Sequence, residues 1–264
     1  PTIWGALSDA GITGRNYYGD VPWVWGAFAN PLAGYTDGID EFFAAAEAGT
    51  LPAYVVVDPN FGLLGGGGND DHPDHNVMLG QVFLASVYQA LAASPQWDRC
   101  LLVITYDEHG GFFDHLQTLQ TMDERPEFEQ LGVRVPGVVI GPYVRRGCVN
   151  STKLEHVSTI ATVTRRHGLT PLNVRVEGAN DLSSCIDPTT LRDPKPPVRL
   201  PPIEASLDEL LTADSQTSHP ELREMIADGR IPLPRDRDYP GAGRDLALQL
   251  IAHAQRLGVL KLRS

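Results

Sequence analysis

The feature that most constrains the fold is a short apolar segment followed at once by charged side chains. Residues 101–106 (LLVITY) are apolar and rich in β-branched residues, which predicts a strand buried on both faces in a parallel or mixed sheet. Open α/β sheets bind their ligands at the carboxyl ends of strands. We therefore expect an α/β fold with a site in the charged segment, whose ionisable residues are Asp107, Glu108, His109, Asp114 and His115.

Five ionisable groups after one buried strand favour a bound metal ion or a bound phosphate. Carboxylates and imidazoles are costly to gather there unless a ligand compensates for them. The pair Gly110 and Gly111 would let the loop approach such a ligand closely. The alternative is a solvated loop in which Asp114 caps the next helix and His115 is simply exposed. The number of ionisable groups favours the ligand site.

Further apolar runs and helical patterns support an α/β domain. Additional strands are predicted at residues 53–57 and 133–142, and helices at residues 2–10, 37–48, 76–93 and 154–168. Residues 188–202 are rich in proline and predict an extended linker. Short helical patterns follow the linker at residues 205–212, 220–227 and 242–257, and the last of these could dock on the domain.

Composition and charge exclude some classes of function. Hydrophobic residues make up 42% of the chain and charged residues 20%, and no apolar run is long enough for an integral membrane segment. The net charge of −12 argues against nucleic acid as a partner, because binding to the phosphate backbone requires clusters of Lys and Arg. Arg145 and Arg146 are either solvated or draw anionic substrates to this acidic protein. Action on phosphate esters would require local positive charge, most simply a metal ion.

The cysteines and the start of the chain leave several points open. Cys100, Cys148 and Cys185 are too few for a disulfide scaffold, although one bridge between Cys148 and Cys185 would be compatible with the sequence. The redox compartment therefore stays open. The chain begins at Pro1 without a methionine or a signal-like segment, so we expect a processed, trimmed or partial chain.

The remaining histidines differ in their sequence context. His72 follows a run of four glycines and precedes a predicted helix. It is either a helix-start residue or an imidazole at a helix N-terminus, where anions bind. His75 and its neighbour Asp74 are expected at the surface. His219 and His253 have none of the sequence neighbours that a site needs.

Several segments, in the same order along the chain, resemble the phosphoesterase family of bacterial phospholipases C and acid phosphatases, within the alkaline phosphatase superfamily. They are residues 1–4 (PTIW), 49–52 (GTLP), 69–73 (NDDHP), 94–97 (SPQW), 105–115 (TYDEHGGFFDH) and 154–159 (LEHVST). The resemblance covers the chain to about residue 172. It implies a three-layer αβα sandwich of the alkaline phosphatase type that lacks its N-terminal portion. Residues 1–187 would be the C-terminal part of the catalytic domain, and residues 188–264 a proline-rich linker and helical extension.

The resemblance also implies a metal site. Asp107 and Glu108 match the acidic pair that holds a divalent metal ion in the family, and carboxylate oxygens suit such ions. His156 would be a further metal ligand, because a late histidine before a helix of this kind returns to the metal centre in the superfamily. The identity of the ion stays open.

The remaining candidates are expected to act in catalysis and substrate binding. His72 matches an active-site histidine that contacts the phosphate or the leaving group, so it would bind the phosphoryl group or act as an acid. His109 would bind substrate. Asp114 and His115 would assist catalysis, either around the metal ligands or as further ligands.

The predicted function is a metal-dependent phosphoric ester hydrolase, incomplete as given. The family's Glu-Asn metal ligands and its Ser or Thr nucleophile are expected before Pro1, and Ser8, Thr13 and Thr105 lack a neighbouring base. The expected partners are a phosphate-ester or phospholipid substrate and the missing N-terminal portion. Two alternatives stay open: a non-catalytic metal-binding or phosphate-binding derivative, and a metallohydrolase that uses metal-bound water. The family suggests a secreted or periplasmic location.

Overall fold

The computed structural model describes residues 2–27, 34–73, 75–212, 218–233 and 237–263. Its contacts divide the chain into two compact units. Unit 1 consists of residues 1–14 and 97–197, and unit 2 consists of residues 15–96 and 198–264. Both units combine helices with strands, and unit 2 contains parallel strand pairs, which agrees with the predicted α/β class.

The described part of unit 1 contains helices and a two-stranded sheet. Its elements are α1 (Ile3–Asp9), β4 (Leu102–Thr105), β5 (Gly137–Ile140), α5 (Val157–His167), α6 (Val174–Gly178) and the 3₁₀ helices Trp97–Arg99, Pro126–Phe128, Leu182–Cys185 and Pro188–Thr190. The N-terminal helix begins at Thr2, whose hydroxyl oxygen accepts a hydrogen bond from the Gly5 amide at 3.1 Å. A small apolar cluster of Ala161, Val176 and Ala179 joins α5 to α6.

The observed β4 differs from the predicted strand in its burial. It pairs with β5 in antiparallel register, with Leu102 opposite Ile140. Three of its four residues are only half-buried and Thr105 is exposed, so the prediction of a strand buried on both faces is wrong. A short apolar run specifies extended backbone, but its burial depends on what covers each face, which the run itself does not encode.

Unit 2 contains a three-stranded sheet, a two-stranded sheet and the longest helices of the described residues. Its elements are β1 (Gly14–Tyr18, beginning at the unit boundary), α2 (Trp23–Ala27), β2 (Thr36–Gly38), α3 (Ile39–Ala48), β3 (Tyr54–Val57), α4 (Val77–Ala93), β6 (Ile203–Ala205), α7 (Leu207–Leu211), α8 (Pro220–Ala227), α9 (Ala242–Arg256) and β7 (Leu260–Leu262). The strand orders are β2-β1-β3 and β6-β7, and β1 pairs with β2, and β6 with β7, in parallel.

The helices of unit 2 follow local sequence signals. The side chain of Asn76 caps α4 by accepting a hydrogen bond from the Met78 amide at 3.0 Å. Gly49 ends α3 in a left-handed conformation with φ of 69°, which glycine adopts without strain. Helix α4 packs against α3 and α9, which confirms that the last long helix docks on its neighbours. Among the described residues, no helix has the length and apolar character needed to cross a membrane.

Candidate active site

The loop after β4 keeps the predicted metal ligands at the surface of unit 1. Asp107 and Glu108 are both exposed. Asp107 Oδ1 accepts a hydrogen bond from the Glu108 amide at 3.0 Å, and Glu108 Oε2 accepts one from the Gly110 amide at 2.6 Å. In the described part of the chain, the second oxygen of each carboxylate makes no hydrogen bond or ion pair. Each carboxylate is thus held by one oxygen and offers the other to a cation.

The backbone makes a sharp turn after these two carboxylates. Gly110 and Gly111 have φ values of 63° and 77°, a region that side chains with a Cβ rarely adopt. His109 Nδ1 lies 2.9 Å from the Phe112 carbonyl oxygen, so the ring donates to it and closes the turn. Beyond this turn the side chains of Phe112 and Phe113 are exposed to solvent.

His156 lies near the end of β4, where it contacts the residue before Asp107. Its Nε2 donates a hydrogen bond to the carbonyl oxygen of Tyr106, the residue before Asp107, at 2.8 Å. In the neutral ring this bond places the proton on Nε2 and leaves the lone pair on Nδ1. His156 directly precedes α5, so the position of that helix start fixes the position of the ring beside Tyr106.

Asp114 and His115 form a separate pair that an arginine holds in place. Arg134 donates to both oxygens of Asp114, with distances of 2.9 and 3.2 Å. Desolvation alone would raise the pKa of Asp114, but the Leu116 amide and the Arg134 guanidinium hold it below its usual value. His115 Nδ1 lies 3.4 Å from Asp114 Oδ1, and its side chain is 78% exposed. Asp114 does not cap a helix, because its amide contact is to Leu116 within the loop.

His72, the other predicted catalytic residue, lies in unit 2 beside two further histidines. Its ring is half-buried, and Nδ1 lies 3.1 Å from the Pro73 carbonyl oxygen. The ring centroids of His72 and His219 are 4.5 Å apart, and those of His72 and His75 are 6.1 Å apart. The sequence predicted His72 alone in this region, whereas the structure surrounds it with imidazoles.

Asp70 joins the other two histidines in a buried cluster. One carboxylate oxygen lies 2.5 Å from His75 Nδ1 and the other lies 2.5 Å from His219 Nε2. Burial alone would raise the pKa of Asp70, but the hydrogen bonds from His219 and His75 hold it well below its usual value. The expectations for His75 and His219 were therefore wrong: His75 is buried, and His219 has the partners that its local sequence lacks. Asp74 lies outside the described residues.

The structure also shows the surroundings of His253 and of the three cysteines. His253 stacks on Phe43 with ring centroids 4.3 Å apart, and its Nε2 lies 2.6 Å from Asp40 Oδ1, so it is a structural residue with partners. Cys100, Cys148 and Cys185 are free thiols, so the bridge between Cys148 and Cys185 is not formed.

Comparisons with known proteins agree on one family. The sequence model of the phosphoesterase family matches residues 2–170. The chain is 33% identical to non-specific phospholipase C3 of Arabidopsis thaliana over 78% of this chain and 44% of the relative. It is 40% identical to non-specific phospholipase C6 of the same plant over 49% of this chain and 29% of the relative. Phospholipase C B of Mycobacterium tuberculosis is 27% identical over 62% of this chain and 38% of the relative. The chain thus spans less than half of the length of these relatives.

Proposed function

Because the chain belongs to the phosphoesterase family, we propose that it forms part of a metal-dependent phosphoric ester hydrolase of the phospholipase C type. The observation that carries this proposal is the family match over residues 2–170, which includes the loop after β4 and His156. The names of the relatives favour a phospholipid as the substrate. A simple phosphomonoester, the substrate class of the acid phosphatases, is less favoured. Because the chain spans under half of these relatives, the activity, the substrate and the metal requirement all belong to the proposal.

The residues at the end of β4 supply the donor types that a divalent metal ion needs, although among the described residues their ligand atoms do not all lie within 4.8 Å of one another. Asp107 and Glu108 each offer a carboxylate oxygen, and His156 offers Nδ1 at the same strand end. Hard oxygen ligands with one imidazole suit several divalent ions. An ion held by these residues would polarise a phosphoryl oxygen and stabilise negative charge that develops on it.

The protein's own side chains would transfer protons to and from the ester. Arg134 keeps Asp114 ionised, and Asp114 in turn lies beside the ring of the solvent-exposed His115. An imidazole next to a carboxylate can give a proton to a departing oxygen and recover it from water. The roles of His109 and His72 in substrate binding remain predictions from the resemblance.

The wider architecture is part of the same proposal. The family relationship supports a three-layer αβα sandwich of the alkaline phosphatase type, to which residues 1–187 would contribute the C-terminal part. Residues 188–264 would then form the linker and helical extension. A Ser or Thr nucleophile and a Glu-Asn pair supplied by sequence before Pro1 would complete the active site.

The test is hydrolysis of p-nitrophenyl phosphorylcholine and of phosphatidylcholine vesicles by this chain together with the preceding sequence that the proposal requires, with and without added Mn²⁺ or Zn²⁺. We expect metal-dependent turnover that the double substitution Asp107→Ala/Glu108→Ala lowers by about 100-fold or more. A matched control is Glu124→Ala/Glu127→Ala, which removes two exposed carboxylates from the same unit and should leave turnover unchanged.

Each outcome separates the proposal from its alternatives. Turnover that is independent of metal, or equal in both double variants, would refute the assigned metal site. Metal binding lost in the first variant but without turnover would favour the non-catalytic derivative. Turnover without a trapped phosphoenzyme would favour a metal-bound water over a side-chain nucleophile.

A further inference from the structure

The cluster of Asp70, His75 and His219 shares no residue with the site after β4 and is built from groups that bind metal ions. From its geometry we propose that these three side chains bind one Zn²⁺ ion, with ligands other than those predicted for the catalytic metal. One ligand atom from each residue lies within 4.8 Å of the others. Two imidazole nitrogens and one carboxylate oxygen form a donor set that zinc accepts in proteins.

Burial distinguishes this cluster from an ordinary surface group of acidic residues. The exposed fractions of the side chains are 4% for Asp70, 0% for His75 and 13% for His219. A buried carboxylate requires strong compensation, because desolvation disfavours its charge. Two imidazoles provide part of that compensation, and a divalent cation between the three groups would provide more.

The distances require only a small adjustment to admit the ion. Four ligands at about 2.0–2.1 Å from a tetrahedral zinc lie roughly 3.3 Å from one another. Asp70 now lies 2.5 Å from each imidazole nitrogen, so its oxygens would move away by under about 1 Å. Each coordinating nitrogen must present its lone pair, so the ring proton moves to the other nitrogen or is released.

The ligands come from two distant parts of unit 2, which would give the ion a structural role. Asp70 and His75 belong to the loop before α4, whereas His219 lies 149 residues after Asp70 and immediately precedes α8. The edge of the Phe61 ring packs against His219, with centroids 5.4 Å apart, and helps to orient it. Zinc would therefore link α8 to the loop, and binding only to the folded state would stabilise that state.

The first experiment measures zinc stoichiometry in the full chain that carries Asp107→Ala/Glu108→Ala, so that the two predicted catalytic carboxylates do not contribute. Metal-free protein is titrated with Zn²⁺ in competition with a chromophoric chelator, and Co²⁺ is used as a spectroscopic substitute. We expect one tightly bound ion per chain. His219→Gln should lower the affinity by about 100-fold or more, because glutamine can donate to Asp70 but is a poor zinc ligand.

His253 provides the matched control in the same unit. Like His219, its side chain is 13% exposed and its Nε2 contacts one aspartate oxygen, but it has no second imidazole on that carboxylate in the described structure. His253→Gln should retain the bound zinc. Absence of stoichiometric zinc binding, or equal binding by His219→Gln and His253→Gln, would overturn the proposal and leave a hydrogen-bonded cluster.

A second measurement keeps the proposal testable if His219→Gln does not fold. Long-range ¹H–¹⁵N spectra of the chain with unsubstituted histidines report which ring nitrogen carries the proton. Zinc should shift the Nδ1 resonance of His75 and the Nε2 resonance of His219, because these are the atoms that face Asp70. Unchanged resonances at both atoms with excess zinc would also refute the site. The double variant separates this result from the proposed hydrolase activity, since either can fail without the other.

Discussion

Replacing the buried carboxylate of Asp58 should change how stability depends on pH. Asp58 directly follows β3 and is only 7% exposed. Its Oδ2 accepts hydrogen bonds from Asn16 Nδ2 at 2.9 Å and from the Trp23 amide at 2.8 Å. Burial raises its pKa to about 6, with a further contribution from the charge of Asp20, against the lowering effect of the two hydrogen bonds.

The sign of the effect follows from the direction of this shift. The folded chain binds the Asp58 proton more tightly than the unfolded chain, whose Asp pKa is near 3.8. The stabilisation from the protonated form is therefore fully present below pH 4 and is lost as the pH rises through about 6. A shift of about two units corresponds to roughly 3 kcal/mol of unfolding free energy lost between acid and neutral pH.

Asp58→Asn should remove this pH dependence because the amide stays neutral. Its side-chain oxygen can still accept both hydrogen bonds. Urea unfolding of the wild type and the variant from pH 4.5 to 7.5 should show the variant gaining about 1–3 kcal/mol over the wild type as the pH rises. Asp98→Asn, which removes an exposed carboxylate, is the control and should not produce this gain. Parallel stability curves for Asp58→Asn and the wild type would refute the assignment of a raised pKa.

Two further substitutions test local features of unit 2. Gly19→Ala should destabilise the chain by about 1–3 kcal/mol, because the new Cβ would lie 2.6 Å from the Asn60 backbone nitrogen. Thermal unfolding would measure this loss, and Gly132→Ala, with open space around the site, should cost far less. Ser206→Ala should cost about 0.5–2 kcal/mol by removing the cap that its hydroxyl makes with the Glu209 amide. Ser206→Asp should retain most of that stability in the same assay, and a loss equal to that of alanine would contradict the capping role.

The sequence predicted helices well wherever the signal was local. The helices predicted at residues 37–48 and 76–93 each depend on patterns within a few positions, and the structure has helices at Ile39–Ala48 and Val77–Ala93. The burial of β4 was predicted wrongly because it depends on pairing with β5, which is more than 30 residues away. A short apolar run predicts an extended backbone, but it does not predict which strand will pair with it or which elements will cover its faces.

The same distinction explains which parts of the candidate sites were predicted. The ring of His156 reaches the Tyr106 carbonyl from 50 residues away, and only the order of family motifs indicated that return. His219 lies beyond residue 172, where the resemblance ends, so no comparable signal connected it to Asp70. A buried carboxylate must have donors within hydrogen-bonding reach, but this rule does not say where in the chain the donors lie. The spacing of His72 and His75 near Asp70 was the local sign of a second polar centre, and it was insufficient to identify His219 as the third member of the cluster.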